Sequence, residues 1–234
     1  MTTRSAGEPS AELLSWDSEF WGVRIGRATS LMDDWALDNT IGCMWLLIPA
    51  SEQADIHRAE EGGARVMDIR VKLERTPERY AISSARVFNP HHDEDAVIGI
   101  ARTAFRGLTR FYADPRFPDD RCDDLYENWM RDSLAEWAAK VLVIEHDKKV
   151  AGFVTLHLDA GIGSIGLIAV AEEARGEGLG VALSLAAVNW AHRHGAWKMT
   201  VVTQGCNIAA QRCFHRAGFV AAQTDIWLHK HFYD

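Results

Sequence analysis

The chain has 234 residues, 47% of them hydrophobic and 25% charged, and a formal net charge of −8. This content supports a buried core rather than a disordered tail, and the length allows one large domain or two small ones. The acidic balance, without any run of Lys or Arg, argues against a nucleic-acid partner, because phosphates need clustered cations.

The first residues, "MTTRSAGEPSAE", lack an apolar signal core. No apolar run approaches the roughly 20 residues of a spanning helix, so a cytoplasmic chain with no membrane partner is expected. "GCMWLLIPA" reads as a buried strand. "SEQADIHRAEEGG" reads as a helix capped by Ser51 and stopped at Gly62-Gly63, and "ARVMDIRVKLE" alternates like a strand. The polar stretch "RTPERYAISSA" then places a boundary near Ser83, dividing the chain into 1–83 and 84–234.

Beyond it, "NPHHDEDAVIGIARTAF" reads as a turn and a helix with acids in its first turn. "RCDDLYENWMRDSLAEWA" is a second helix, with a stripe of Leu125, Trp129 and Leu134. Three β-rich runs follow, with turns at "HDKK" and "DAGIG", and read as an antiparallel meander. A helix, the strand "WKMTVVTQ", the helix "NIAAQRCFHRAG" and the strand "AQTDIWLHKHF" complete the chain. An internal echo links "HRAEEGGARVMDIRVKL" with "RCFHRAGFVAAQTDIWLHK": helix end, glycine turn, strand with Asp-Ile.

No metal site is expected. The "HHDED" at 91–95 reads as a solvated helix start, and Cys43, Cys122, Cys206 and Cys213 have no ligand spacing and read as free thiols.

The richest signal is "AVAEEARGEGLGVALSLAAVNW". A strand ending at Val170 and a short acidic turn lead into Arg175, Gly176, Glu177, Gly178, Leu179 and Gly180, and then into a helix. Helix-start N–H groups lack acceptors and carry partial positive charge, and glycines admit a pyrophosphate to the backbone, so this reads as a phosphate cradle. A dinucleotide fold would need a βαβ unit with an acid about 20 residues on, and position 200 is Thr200. A P-loop would need a following Gly-Lys-Ser/Thr, which is missing.

Arg175, Gly178 and Gly180 resemble the acetyl-CoA loop of the GNAT superfamily of N-acetyltransferases. "NIAAQRCFHRAGF" is similar to that family's next motif, with Asn207, Ala210, Gly218 and Phe219 in register over residues 84–234. "LLSWDSEFWGVRIGRA" and "VNWAHRHGAWKMTVVTQGCNIAA" resemble the TDP-fucosamine acetyltransferases among them. The resemblance implies an α/β GNAT fold, a mixed, mostly antiparallel sheet flanked by helices, with a truncated GNAT-like domain ahead of it. It implies acetyl-CoA or a close acyl-CoA as co-substrate. The acceptor would be a small-molecule amine, such as a TDP-linked amino sugar, and a homodimer is compatible with it. The backbone at Ile168, Ala169 and Val170 would pair with the pantetheine arm.

The family usually places a tyrosine acid seven residues after the asparagine; here the position is Phe214, which has no proton to give. The thiolate leaves with other help, or the chain binds or decarboxylates an acyl-CoA instead; both remain open at this point. His157 alternates with Phe153 and Thr155 one strand from the cofactor strand and is a candidate base. Arg110, Phe111, Tyr112 and Arg116, in "LTRFYADPRFP", are candidates for stacking on a base and pairing with phosphate in the acceptor site.

Overall fold

The structure, a computed structural model, describes residues 11–28, 40–79 and 84–233. The first part of the chain forms β1 (Ala11–Leu13), α1 (Ser15–Trp21), β2 (Ile25–Ala28), β3 (Cys43–Pro49), α2 (Gln53–Glu61) and β4 (Arg65–Arg75). Next come β5 (Ala85–Val87), α3 (Pro90–Ala104), the short α4 (Arg110–Ala113) and α5 (Asp119–Asp132). The meander is β6 (Lys140–His146), β7 (Lys149–Asp159) and β8 (Ile162–Val170); α6 (Leu179–Arg193), β9 (Lys198–Gln204), α7 (Ile208–Arg216) and β10 (Val220–His231) follow.

The ten strands of the described residues share one sheet in the order β1-β2-β3-β10-β4-β9-β8-β7-β6-β5. Among the described residues only β2/β3 and β8/β9 run parallel, so the expected mixed, mostly antiparallel α/β architecture is what forms. The meander turns are two-residue loops with left-handed backbone at Asp147-Lys148 and Ala160-Gly161, the twist that suits tight hairpins. Helices α1, α3, α4 and α5 pack one face of the sheet through Phe111, Leu125, Met130 and Phe153. On the other face α6 and α7 bury Leu183, Val188 and Phe214, and α2 covers Met44, Leu46 and Leu228.

Several details differ from the sequence reading. Glu52, not Ser51, precedes α2, and no side chain caps that helix. The second long helix breaks after Asp132, where Ala135 and Glu136 leave helical geometry. Segments α1, α4, β1, β2 and β5 are seven residues or fewer, too short for a periodic signal. The boundary expected at Ser83 falls within residues 80–83, outside the described residues. Strands from both sides of it interleave, because β10 lies between β3 and β4. The two echoing segments pair with each other, with Ile69 directly opposite Ile226.

The site depends on an irregularity in β8. Val154 pairs with Ile168 but Leu156 pairs with Ile165, so β8 carries an extra residue as a bulge. The Thr155 hydroxyl accepts the Leu167 N–H at 2.7 Å, supplying the partner that the bulge removes. Beside β9, β8 is paired only from Ile162 to Ile165; from Gly166 onward the two strands part.

Candidate active site

The glycine turn expected to cradle a phosphate stands at the head of α6. Gly178 is its N-cap, at φ 78° and ψ 2°, a left-handed conformation that glycine adopts without strain. Gly180 serves a different need: a Cβ there would lie 3.0 Å from Cys213 Sγ, so its small size lets α7 approach α6. Among the described residues, the backbone N–H groups of 176–181 have no hydrogen-bond acceptor. Such a row at a helix start attracts an anion.

A groove of about 590 Å³ runs from this row between α6 and α7 to the parting of β8 and β9. Of the expected cofactor residues all but Glu177 line it: Ile168, Ala169, Val170, Arg175, Gly176, Gly178, Leu179, Gly180, Asn207, Ala210 and Phe214. Asn207 caps α7, its Oδ1 accepting the Ala210 N–H at 3.0 Å. Phe214 is 2% exposed and its ring meets Phe219 edge-on at 5.9 Å. Arg212 and Arg216, one turn apart on α7, add cations to the groove wall; sequence reading missed them because a lone arginine on a short helix carries no signal.

Ala104, Phe105 and Leu108, from the end of α3 and the loop before α4, also line the groove. There β4, the turn after β9 and the loop before α4 meet: Gly205 N–H donates to the Ile69 carbonyl and Cys206 Sγ to the Leu108 carbonyl. Asp68 stands at this junction. Burial pushes its carboxyl up to about 6, against the pull of the Ile69 and Arg110 N–H groups and the Arg110 charge. Asp17 of α1 is likewise raised by burial, opposed by Arg110. Neither carboxylate forms an ion pair with Arg110 among the described residues, and both half-buried acids act on its charge through space. Neither position is marked in the sequence, since one lies in a short helix and the other in a strand about 50 residues on.

The loop expected to bind the acceptor is largely engaged with the protein itself. Arg110 lies 3.8 Å from the Trp45 ring centroid and 4.2 Å from that of Trp227, and burial pulls its pKa down to about 10. It donates to His229 Nε2 at 2.9 Å. Phe111 is buried in the core, the Tyr112 hydroxyl donates to Asp123, and Arg116 donates to the Tyr233 carbonyl.

Cys43, His229 and His231 place potential ligand atoms within 4.8 Å of one another. Arginine has no lone pair, so His229 Nε2 accepts from Arg110 and Nδ1 carries the proton, which it donates to Asp114 at 2.7 Å. His231 Nε2 lies 2.8 Å from the same Asp114 oxygen. Burial alone would raise Asp114, but the two imidazoles hold it well below the usual carboxylate range. The cluster is therefore filled by hydrogen bonds that tie β10 to the loop after α4.

His157 does not line the groove. Its ring lies 5.0 Å from that of Trp137, and a Cβ on Gly166 would come 2.5 Å from its Nε2. Burial lowers its pKa, so it is neutral near pH 7.

Comparison with known proteins agrees with this geometry. The acetyltransferase (GNAT) family model matches residues 91–219. A dTDP-fucosamine acetyltransferase from Escherichia coli is 27% identical over 233 residues, covering 94% of this chain and 98% of that one. A spore coat polysaccharide biosynthesis protein from Bacillus subtilis is 26% identical over 137 residues, 58% of this chain and 47% of the relative, so the match spans under half of that protein. A conserved protein of unknown function from Staphylococcus epidermidis shares the fold, with a TM-score of 0.66 at 13% identity over 97% of this chain and 94% of that one. With the family model matching more than half of its length, the chain belongs to the GNAT acetyltransferase family.

Proposed function

We propose that the protein moves an acetyl group from acetyl-CoA to the primary amine of a nucleotide-linked amino-deoxy sugar. The observation that carries the donor half is the row of acceptor-free N–H groups at 176–181, opening into a groove that ends where β8 and β9 part. The acceptor half draws on the name of the Escherichia coli relative and on the charge beside Leu108, where two acids act on one arginine. A local excess of negative charge suits an ammonium group.

The CoA pyrophosphate rests on the N–H row, Glu177 contributing only its backbone, with Arg175, Arg212 and Arg216 beside it. The pantetheine arm pairs with the β8 edge at Ile168, Ala169 and Val170, which β9 leaves free. Held at the parting, the amine attacks the thioester carbon: the N–C bond forms, the C–S bond breaks, and the amine proton passes to Asp68. Phe214 supplies no proton, so water protonates the departing thiolate, whose pKa of about 8.5 makes it a tolerable leaving group. Leu108 walls the acceptor side, while Arg110, Phe111, Tyr112 and Arg116 hold that loop in shape.

The test is thiol release from acetyl-CoA with a panel of amines that includes TDP-amino sugars. Asp68 accepts a proton only when ionised, so turnover should rise with pH through about 6. Asp68→Asn should remove that limb and lower turnover by about 10²–10⁴-fold, whereas His157→Ala should leave the limb in place. Thiol release independent of every amine would refute the transfer, and carbon dioxide release from malonyl-CoA would then point to decarboxylation. A parental pH profile in Asp68→Asn would remove Asp68 from the mechanism.

A further inference from the structure

After α5 the chain turns through Ser133–Trp137, with Glu136 at φ 76° and ψ 4°. A left-handed glutamate is strained by on the order of 1 kcal/mol or more. The turn is held by Ala138 N–H donating to the Ser133 carbonyl and by Ser133 Oγ donating to the Trp129 carbonyl at 2.7 Å. It delivers Trp137, whose side chain is 59% exposed. An exposed tryptophan alone needs no explanation. One carried on a strained turn and braced by a second ring does.

The brace is His157, edge-on to the indole with the ring centroids 5.0 Å apart. Its seat exists because position 166 is glycine: a Cβ there would lie 2.5 Å from His157 Nε2 and 2.8 Å from Thr155 Oγ1. Gly166 is exposed, and it is the first residue of β8 no longer paired with β9. The bulge that opens the groove and the glycine that seats the brace therefore occupy one stretch of strand. From Gly166 to Ala169 is three residues, about 10 Å, a length that a sugar ring and a diphosphate can span. Ser164, which pairs with both His157 and Thr200, adds a hydroxyl in the next row, as Thr200 does.

We propose that Trp137 is a stacking platform for the nucleobase of the acceptor, with His157 as its brace. The platform rests on the acceptor class proposed above, and it gives that class a place on the molecule: the amine at the parting of β8 and β9, the planar base over the indole. Any nucleobase offers a flat π face, so Trp137 secures nucleotide-linked acceptors as a class rather than one base.

The test compares a TDP-linked amino sugar with the same amino sugar free of nucleotide. Trp137→Ala should lower the ratio of kcat/KM for the linked over the free acceptor by about 5- to 100-fold, mainly through KM for the linked form. Trp137→Phe should keep most of the ratio, and His157→Ala should fall between. An unchanged ratio in Trp137→Ala overturns the platform. So does loss of a dimer in that variant by sedimentation, which would make Trp137 a contact between copies. If no amine is acetylated by the parent, calorimetry with thymidine 5′-diphosphate decides separately. Parental binding weakened at least about 5-fold by Trp137→Ala supports the platform; no parental binding overturns it.

Discussion

Gly178 and Phe214 carry two tests of the proposed chemistry. At Gly178 an added Cβ would meet no protein atom within 4 Å, so it would project into the space before the N–H row. Gly178→Val also forces a β-branched residue to positive φ, a strain of about 1–2 kcal/mol. Acyl-CoA binding should weaken by at least about 10-fold in a variant that still folds, and calorimetry showing unchanged affinity would move the phosphate site elsewhere. At position 214 a tyrosine would restore the hydroxyl that the family uses. Phe214→Tyr should keep CoA binding and raise turnover by up to about 10²-fold if thiolate departure limits the rate, or leave it unchanged if water already suffices. Variant and parent both binding acetyl-CoA without amine-dependent thiol release would end the transferase reading. The residues of the cradle and of the Asn207 helix were legible in the sequence because each set sits within one element at fixed spacing. Asp68 and Asp17 were not, because the pKa shift that makes an ordinary acid noteworthy comes from burial by other elements.

Among the elements, β8 decides where the groove ends, and its bulge hangs on one hydroxyl. Thr155→Val would leave the buried Leu167 N–H without its acceptor, at a cost of about 1–3 kcal/mol. Thermal unfolding should show Tm lowered by roughly 3–10 °C, together with weaker acyl-CoA binding as the parting of β8 and β9 closes. A variant with parental Tm would mean that the bulge is held by packing instead. The sequence "SIGLIAV" reads as a strand under any pattern, since a one-residue slip leaves apolar residues on both faces. Nothing local marks the end of α5 either: no glycine or proline stands in "RDSLAEWA", and the break is imposed where the chain must turn to enter β6.

For the whole molecule, the position of β10 matters most. It pairs with β3 on one side and β4 on the other, so the last strand is completed by residues from the first third of the chain. We propose that 1–83 is a GNAT-like unit folded into the sheet of 84–234, a division supported by the echo that meets at Ile69 and Ile226. Residues 84–234 made alone would strip β10 of both neighbours and β9 of β4. That fragment should aggregate or lack a cooperative thermal transition by circular dichroism, and a sharp transition would show instead that it is an independent domain. The sequence by itself determined the elements with strong period, the glycine turn that opens α6 and the Asn207 motif that opens α7, all set by neighbours along the chain. Only the tertiary structure decided which strands adjoin, that the His157 ring meets Trp137 rather than lining the groove, and that Asp17 and Asp68 come near enough to act on the Arg110 charge. Those arrangements depend on long-range pairing and burial, which bring together residues that no local spacing connects.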